Sequence, residues 1–187
     1  MDWYALFVQT GQEELVKALI TKYIDESTIK VMVPKRKIKE RRQGRLYETS
    51  KIIFPGYVFL NTCMNIDLYY KLKQIPKYLH LLNNYQYNID YKYDDIKTQD
   101  SQNSAFCPIK KDEIDLILRL VQSKEEIGFS KVYTENSKIM VCSGPLKGLE
   151  GIIKKIDKRK NRAKIALNFM GMIQTVDVGI EILTTPV

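Results

Sequence analysis

Trp3 to Val8 is aromatic and aliphatic throughout, the pattern of a central strand covered on both faces. Thr10-Gly11-Gln12-Glu13 follows as a capping box, in which the Thr10 and Glu13 side chains can satisfy the free amides of a helix start. Leu15, Val16, Leu19, Ile20 and Tyr23 then recur at helical spacing. Ile29 to Val33 predicts a second strand that ends at Pro34. Residues 35–51 read as an extended hairpin with Gly44 at its tip, and Ile52 to Leu60 as a strand interrupted by Pro55-Gly56. Ile66 to Lys73 predicts a short helix, and Ile75-Pro76-Lys77 a turn into a strand near Leu79. Residues 83–107 are polar without a sustained period and read as an irregular insertion. Past Pro108, the spacing of Ile114, Ile117, Leu118 and Val121 predicts an amphipathic helix to about Ser123. Beyond a linker at 124–131 the chain is strand and turn alone, punctuated by Gly144, Gly148, Gly151, Gly171 and Gly179. The predicted class is α+β: an α/β domain over 1–123, then a small barrel over 132–187.

Charge sharpens this division. The 187 residues carry a net +8, which favours an anionic partner. Residues 1–130 hold 20 basic and 17 acidic side chains, residues 131–187 hold 10 and 5, so the smaller part is the more basic per residue. Two stretches concentrate the excess: eight cations against Glu40 and Glu48 in 35–51, and seven against Asp157 in 154–164. Cys63, Cys107 and Cys142 are isolated and His80 is the sole histidine, so no metal site is predicted. The start lacks a basic region followed by an apolar stretch, and no run reaches the roughly 20 apolar residues of a membrane span. These features predict a cytoplasmic chain with no membrane partner. A glycine-rich phosphate loop, a Cys–His pair with a third member and a metal-spaced carboxylate cluster are all missing from the sequence. The reading is therefore of a protein that is not an enzyme, with no catalytic residues and no cofactor.

Three motifs in order carry a resemblance. Trp3-Tyr4-Ala5-Leu6-Phe7-Val8-Gln9-Thr10-Gly11-Gln12-Glu13 resembles the opening of NusG amino-terminal (NGN) domains, and Phe54-Pro55-Gly56-Tyr57-Val58-Phe59 resembles their Phe-Pro-Gly-Tyr strand. Val141-Cys142-Ser143-Gly144-Pro145-Leu146-Lys147-Gly148-Leu149-Glu150-Gly151 looks like a KOW motif, with Gly171 and Val176 fitting its later hairpin and strand. The resemblance covers nearly the whole chain, least at 83–107. It implies a ferredoxin-like α/β sandwich followed by a five-stranded SH3-like KOW barrel, in a monomeric transcription elongation factor. Within the family the chain is most similar to specialised LoaP or RfaH paralogues, LoaP preferred, which implies an antiterminator that reads an RNA hairpin. The alternatives are a general NusG that couples transcription to a termination factor or the ribosome, and a ribosome-associated KOW protein that binds RNA.

Period-two alternation places Trp3, Ala5 and Phe7 on one sheet face and Tyr4, Leu6 and Val8 on the other, and gives Tyr57 and Phe59 a common face. Left uncovered, such aromatics mark a partner site; covered, they are ordinary core. The resemblance implies the first for Phe7, Phe54, Tyr57 and Phe59, as the pocket for the clamp helices of RNA polymerase. The basic hairpin, with Lys37, Lys39, Arg41, Arg42 and Arg45, reads either as a solvated loop or as a phosphate-contacting arm for upstream or non-template DNA. In the barrel, Gly144, Pro145 and Gly148 shape a loop that presents Lys147. The second cluster is Lys154, Lys155, Lys158, Arg159, Lys160, Arg162 and Lys164, and a hairpin turn at 158–162 exposes the side chains within it. Few aromatics lie nearby, which favours a nucleic-acid backbone, as in an RNA hairpin, over stacked single-stranded bases. A protein partner is the competing reading.

Overall fold

The structure, a computed structural model, describes residues 1–82, 106–135 and 138–183, so the insertion read at 83–107 lies almost wholly outside the described residues. Contacts divide the chain into two compact units, one of Met1–Val33 with Phe54–Lys110 and one of Pro34–Ile53 with Lys111–Val187.

The first unit is built on a four-stranded antiparallel sheet. Its strands are β1 (Asp2–Val8), β2 (Ile29–Met32), β5 (Tyr57–Thr62) and β6 (Tyr78–Leu81), in the order β2-β5-β1-β6. Two helices accompany it, α1 (Glu13–Tyr23) and α2 (Ile66–Lys73), the latter at the predicted bounds and capped by the Asn65 side chain, which accepts from the Leu68 amide at 2.8 Å. Tyr4, Leu6, Val8, Val58 and Leu60 are buried, as are Val16 and Ile20 of α1 and Leu68 and Leu72 of α2. Of the helical positions read from the sequence, Leu15 and Tyr23 point to solvent and Leu19 is half-buried, which narrows the apolar stripe of α1.

The capping box at Thr10–Glu13 is not formed. The helix starts at Glu13 with Gln12 as its cap residue, and no side chain caps it. The Glu13 carboxylate is buried instead and accepts from the Gly56 amide at 2.6 Å. A tertiary acceptor role has displaced the local one, because the amide of Gly56 sits in a buried turn where no water can satisfy it.

The second unit contains the basic hairpin, β3 (Lys35–Arg42) and β4 (Arg45–Ile52), paired from Lys35–Ile52 out to Arg42–Arg45. Gln43 and Gly44 form its two-residue tip, both at positive φ (48° and 80°), the left-handed turn whose twist matches a hairpin. The short strand β7 (Glu126–Ile127) adds to β3 in parallel, with Ile127 fully buried.

The rest of this unit is a curled five-stranded sheet, as expected for the barrel. Strands β8 (Ser130–Glu135), β9 (Lys138–Ser143), β10 (Ile153–Asp157), β11 (Arg162–Phe169) and β12 (Met172–Ile182) run in the order β10-β11-β12-β8-β9. β12 changes partner along its length, pairing with β11 up to Gly179 and then in parallel with β8 from Ile180, which bends the sheet on itself. β11 alternates in burial, placing Ala163, Ile165, Leu167 and Phe169 inside with Val132, Leu146, Val176, Val178 and Ile180. Helix α3 (Lys111–Val121) buries Ile114, Ile117, Leu120 and Val121. Its Glu113 carboxylate accepts from the amides of Met170 and Gly171 (2.9 and 3.1 Å), so the β11–β12 turn is held to the helix start.

Candidate functional site

The aromatic strip of the first unit is only partly open. Phe7 on β1 pairs laterally with Tyr57 on β5 and His80 on β6, with ring centroids 5.2 and 5.0 Å away. Phe7 and Tyr57 are half-buried and His80 is exposed. Phe59 and Phe54 stack on each other at 5.6 Å, and both are buried. The four aromatics named from the sequence thus split into two that a partner can reach and two in the core. Sequence reasoning did not single out His80 as a candidate: its place within Tyr78-Leu79-His80-Leu81-Leu82 carries no sign that its ring completes a strip with Phe7.

The turn beneath this strip is tightly specified. Gly56 has φ +87°, and a Cβ there would lie 3.0 Å from the Phe7 ring and 3.2 Å from the Thr10 hydroxyl. Its carbonyl accepts from the Val8 amide (2.8 Å) while its amide is held by Glu13. Glycine is therefore what lets Phe7 lie against the turn.

In the second unit the basic hairpin and the β10–β11 turn come together. Lys39, Arg41, Arg42, Arg159, Lys160 and Arg162, with Glu40, Leu46 and Asn161, line a groove of about 680 Å³. Asn161 (φ +51°) closes the turn, and the Lys160 amide donates to the Asp157 carboxylate at 3.0 Å. Arg162 is mostly buried: it donates to the Lys39 carbonyl (3.2 Å) and lies 3.8 Å from Glu40 and 4.0 Å from Asp177. It fastens hairpin to barrel, whereas Arg41, Arg42, Arg159 and Lys160 are exposed. Glu40 also pairs with Lys51 and with Arg42 (3.4 Å), and the Lys51 hydrogen bond, foremost, holds its carboxyl below the usual carboxylate range. Burial pushes the Arg36 guanidinium down, opposed by nearby Asp177 and reinforced by Arg162.

The remaining candidates are scattered. Lys37 pairs with Glu126 at 3.7 Å, and Lys39 lies 3.9 Å from Glu181 and over the Phe129 ring. Arg45 stands exposed beside the hairpin tip. Lys154, Lys155, Lys158 and Lys164 are exposed on β10, its following turn and β11. Lys147 is exposed on the Gly144–Gly148 loop, where its amide donates to the Gly144 carbonyl at 3.1 Å; that loop precedes β10 whereas the basic turn follows it, and Lys147 does not line the groove. Among the described residues no cluster of three or more His, Cys, Asp or Glu is placed to hold a metal, and no helix is long and apolar enough to cross a membrane.

Comparisons with known proteins agree with this architecture. The family profile "Transcription termination factor nusG" matches residues 1–118, and the "KOW motif" profile matches residues 135–165. Similar curated proteins carry the name "Transcription termination/antitermination protein NusG". That of Haemophilus influenzae is 25% identical over 94% of this chain and 89% of its own length. Those of Halalkalibacterium halodurans and Xylella fastidiosa are 24% and 26% identical, covering 95% and 94% of this chain and 94% of theirs. A solved structure described as "Domain interaction in Thermotoga maritima NusG" shares the fold, with a TM-score of 0.55 at 22% identity over 95% of this chain and 93% of that one.

Proposed function

The chain belongs to the NusG family of transcription termination/antitermination factors, and we propose that it docks on RNA polymerase through the Phe7–Tyr57–His80 strip and regulates elongation from there. The observation that carries this reading is that strip: three rings in lateral contact on one sheet, with Phe7 and Tyr57 half-buried and His80 exposed, whereas Phe54 and Phe59 are closed into the core. Partly open aromatic clusters supply large contact area at little entropic cost, which suits a helical partner such as the polymerase clamp helices. The second unit is proposed to take the other partner, an RNA hairpin or the upstream or non-template DNA, through its basic hairpin and barrel loops. The relatives named above are general NusG proteins, so a specialised LoaP-like or RfaH-like role rests on those basic segments alone.

A second reading is favoured by one observation. Ile173 is 74% and Met172 44% exposed at the start of β12, an adjacent apolar pair on the basic barrel, where Met140 on β9 is exposed as well. A general factor would use such a pair to hold a protein, whether a termination factor or a ribosomal component.

Retention of the full chain on immobilised RNA polymerase tests the docking surface. Tyr57→Ala is expected to weaken retention at least tenfold, about 1.4 kcal/mol or more, with native circular dichroism. His80→Ala is expected to act in the same direction with a smaller effect. Full retention by a folded Tyr57→Ala protein would exclude the strip as the polymerase site.

A further inference from the structure

The two basic segments lie more than 100 residues apart, and nothing in their sequence says that they share a ligand. In the structure they line one groove. Arg41 and Arg42 stand at the end of β3, Arg159 and Lys160 in the β10–β11 turn, and all four are exposed. Like charges brought together in this way repel unless an anion lies among them. Here one does: Glu40, the only acid among the described residues of the lining, pairs with Lys51, Arg42 and Arg162. A single carboxylate shared by three cations leaves Arg41, Arg159 and Lys160 with no counter-charge among the described residues of the groove.

We propose that this groove is one composite site for the phosphate backbone of a double-stranded nucleic acid, hairpin and turn supplying its two walls, with Glu40 as an internal counter-anion that phosphate displaces. It rests on the reading that the second unit binds nucleic acid, and it says where and how. Phosphate chemistry follows from the donors: guanidinium groups offer forked N–H pairs that match phosphate oxygens. The paired form follows from the lining, which among the described residues holds no aromatic ring on which an unpaired base could stack and Leu46 as its one apolar side chain. Backbone contacts give affinity and orientation with little sequence readout, as a groove with these donors would. Arg162 is a positioning residue in this site, because its guanidinium is already engaged by the Lys39 carbonyl, Glu40 and Asp177.

The test uses the full chain and three probes: an RNA hairpin, a DNA hairpin of the same sequence and an unpaired strand. Two paired variants, Arg41→Ala/Arg42→Ala and Arg159→Ala/Lys160→Ala, are titrated against each across a salt series. Both are expected to weaken binding of the same hairpin about tenfold or more, since each removes two charged hydrogen-bond donors. Each should also lower the magnitude of the salt slope by about 2, one unit for every phosphate no longer neutralised. Glu40→Gln, checked for native circular dichroism, is expected to tighten binding about threefold to tenfold, the scale of a partly exposed ion pair. The RNA and DNA arms decide which backbone is taken. Weakening confined to one of the paired variants would overturn the composite site, a preference for the unpaired strand would overturn the duplex ligand, and unchanged or weaker binding by folded Glu40→Gln would overturn the counter-anion. Polymerase retention, run on the same variants, should not change; a wild-type chain that binds hairpins yet fails to retain polymerase would sink the docking proposal and leave the groove standing.

Discussion

Gly144→Ala should destabilise the second unit by about 3 kcal/mol or more, the combined scale of left-handed backbone strain and overpacking. Gly144 sits at φ +97°, and a Cβ would fall 2.6 Å from both the Phe129 carbonyl oxygen and the Ser130 Cα. Both are backbone atoms, so no rotamer change relieves the clash. The effect also spreads: the Ser130 hydroxyl accepts from the amide of fully buried Leu146 at 3.0 Å, and Ser130 pairs with Ile180 where β12 changes partner. Chemical denaturation followed by far-ultraviolet circular dichroism measures it. Gly151→Ala is the control, since a Cβ there meets nothing within 4 Å and φ is not in the left-handed region. Equal stability of the two variants would mean that the first glycine of this motif is not a packing requirement.

The second large effect belongs to Glu113. Its carboxylate accepts two amides from the β11–β12 turn, where Met170 (φ 52°) and Gly171 (φ 75°) form a left-handed pair. Glu113→Ala leaves those amides without their acceptors beside the largely buried Met170, at a cost of about 2–4 kcal/mol, one to two unsatisfied donors. Glu113→Gln keeps one acceptor oxygen and turns a donor toward the other amide, so its destabilisation should be about half as large. Thermal unfolding of the two variants separates the cases. Glutamine and alanine variants of equal stability would mean that the helix start and the turn are held by packing alone.

Local chemistry was legible wherever a residue's role is set by its neighbours in the chain. The hairpin at 35–51 could be placed because Gly44 supplies the positive φ that its turn needs, and α2 was legible at its observed bounds, Ile66–Lys73, although its Asn65 cap was not. Alternation along β1 and β5 gave the sheet faces correctly, and Phe7, Tyr57 and Phe59 do share one. What alternation cannot supply is coverage. Tyr57 and Phe59 are two residues apart on one face, yet one is half-buried and the other fully buried, with Phe54, beyond the Pro55-Gly56 turn, stacked on Phe59. The capping box failed for a related reason: Thr10 and Glu13 have the right spacing, but a buried amide 43 residues away competes for the same carboxylate. Charge was visible as two runs, and their meeting was not, since it depends on how β3 lies beside β12 and on Arg162 reaching the Lys39 carbonyl.

The clasp between Glu13 and Gly56 also bears on how this protein can be re-engineered. Gly11-Gln12-Glu13 and Phe54-Pro55-Gly56-Tyr57 look like separate signatures, but a buried carboxylate in one is the hydrogen-bond partner of the backbone in the other, and Phe7 rests against their junction. A chimera that takes its opening strand and helix from one relative and its Phe-Pro-Gly-Tyr turn from another would inherit half of a hydrogen bond unless both halves were matched. The aromatic strip is therefore transplantable only as a pair of segments, and its rings can be exchanged only while the acid and the glycine beneath them travel together.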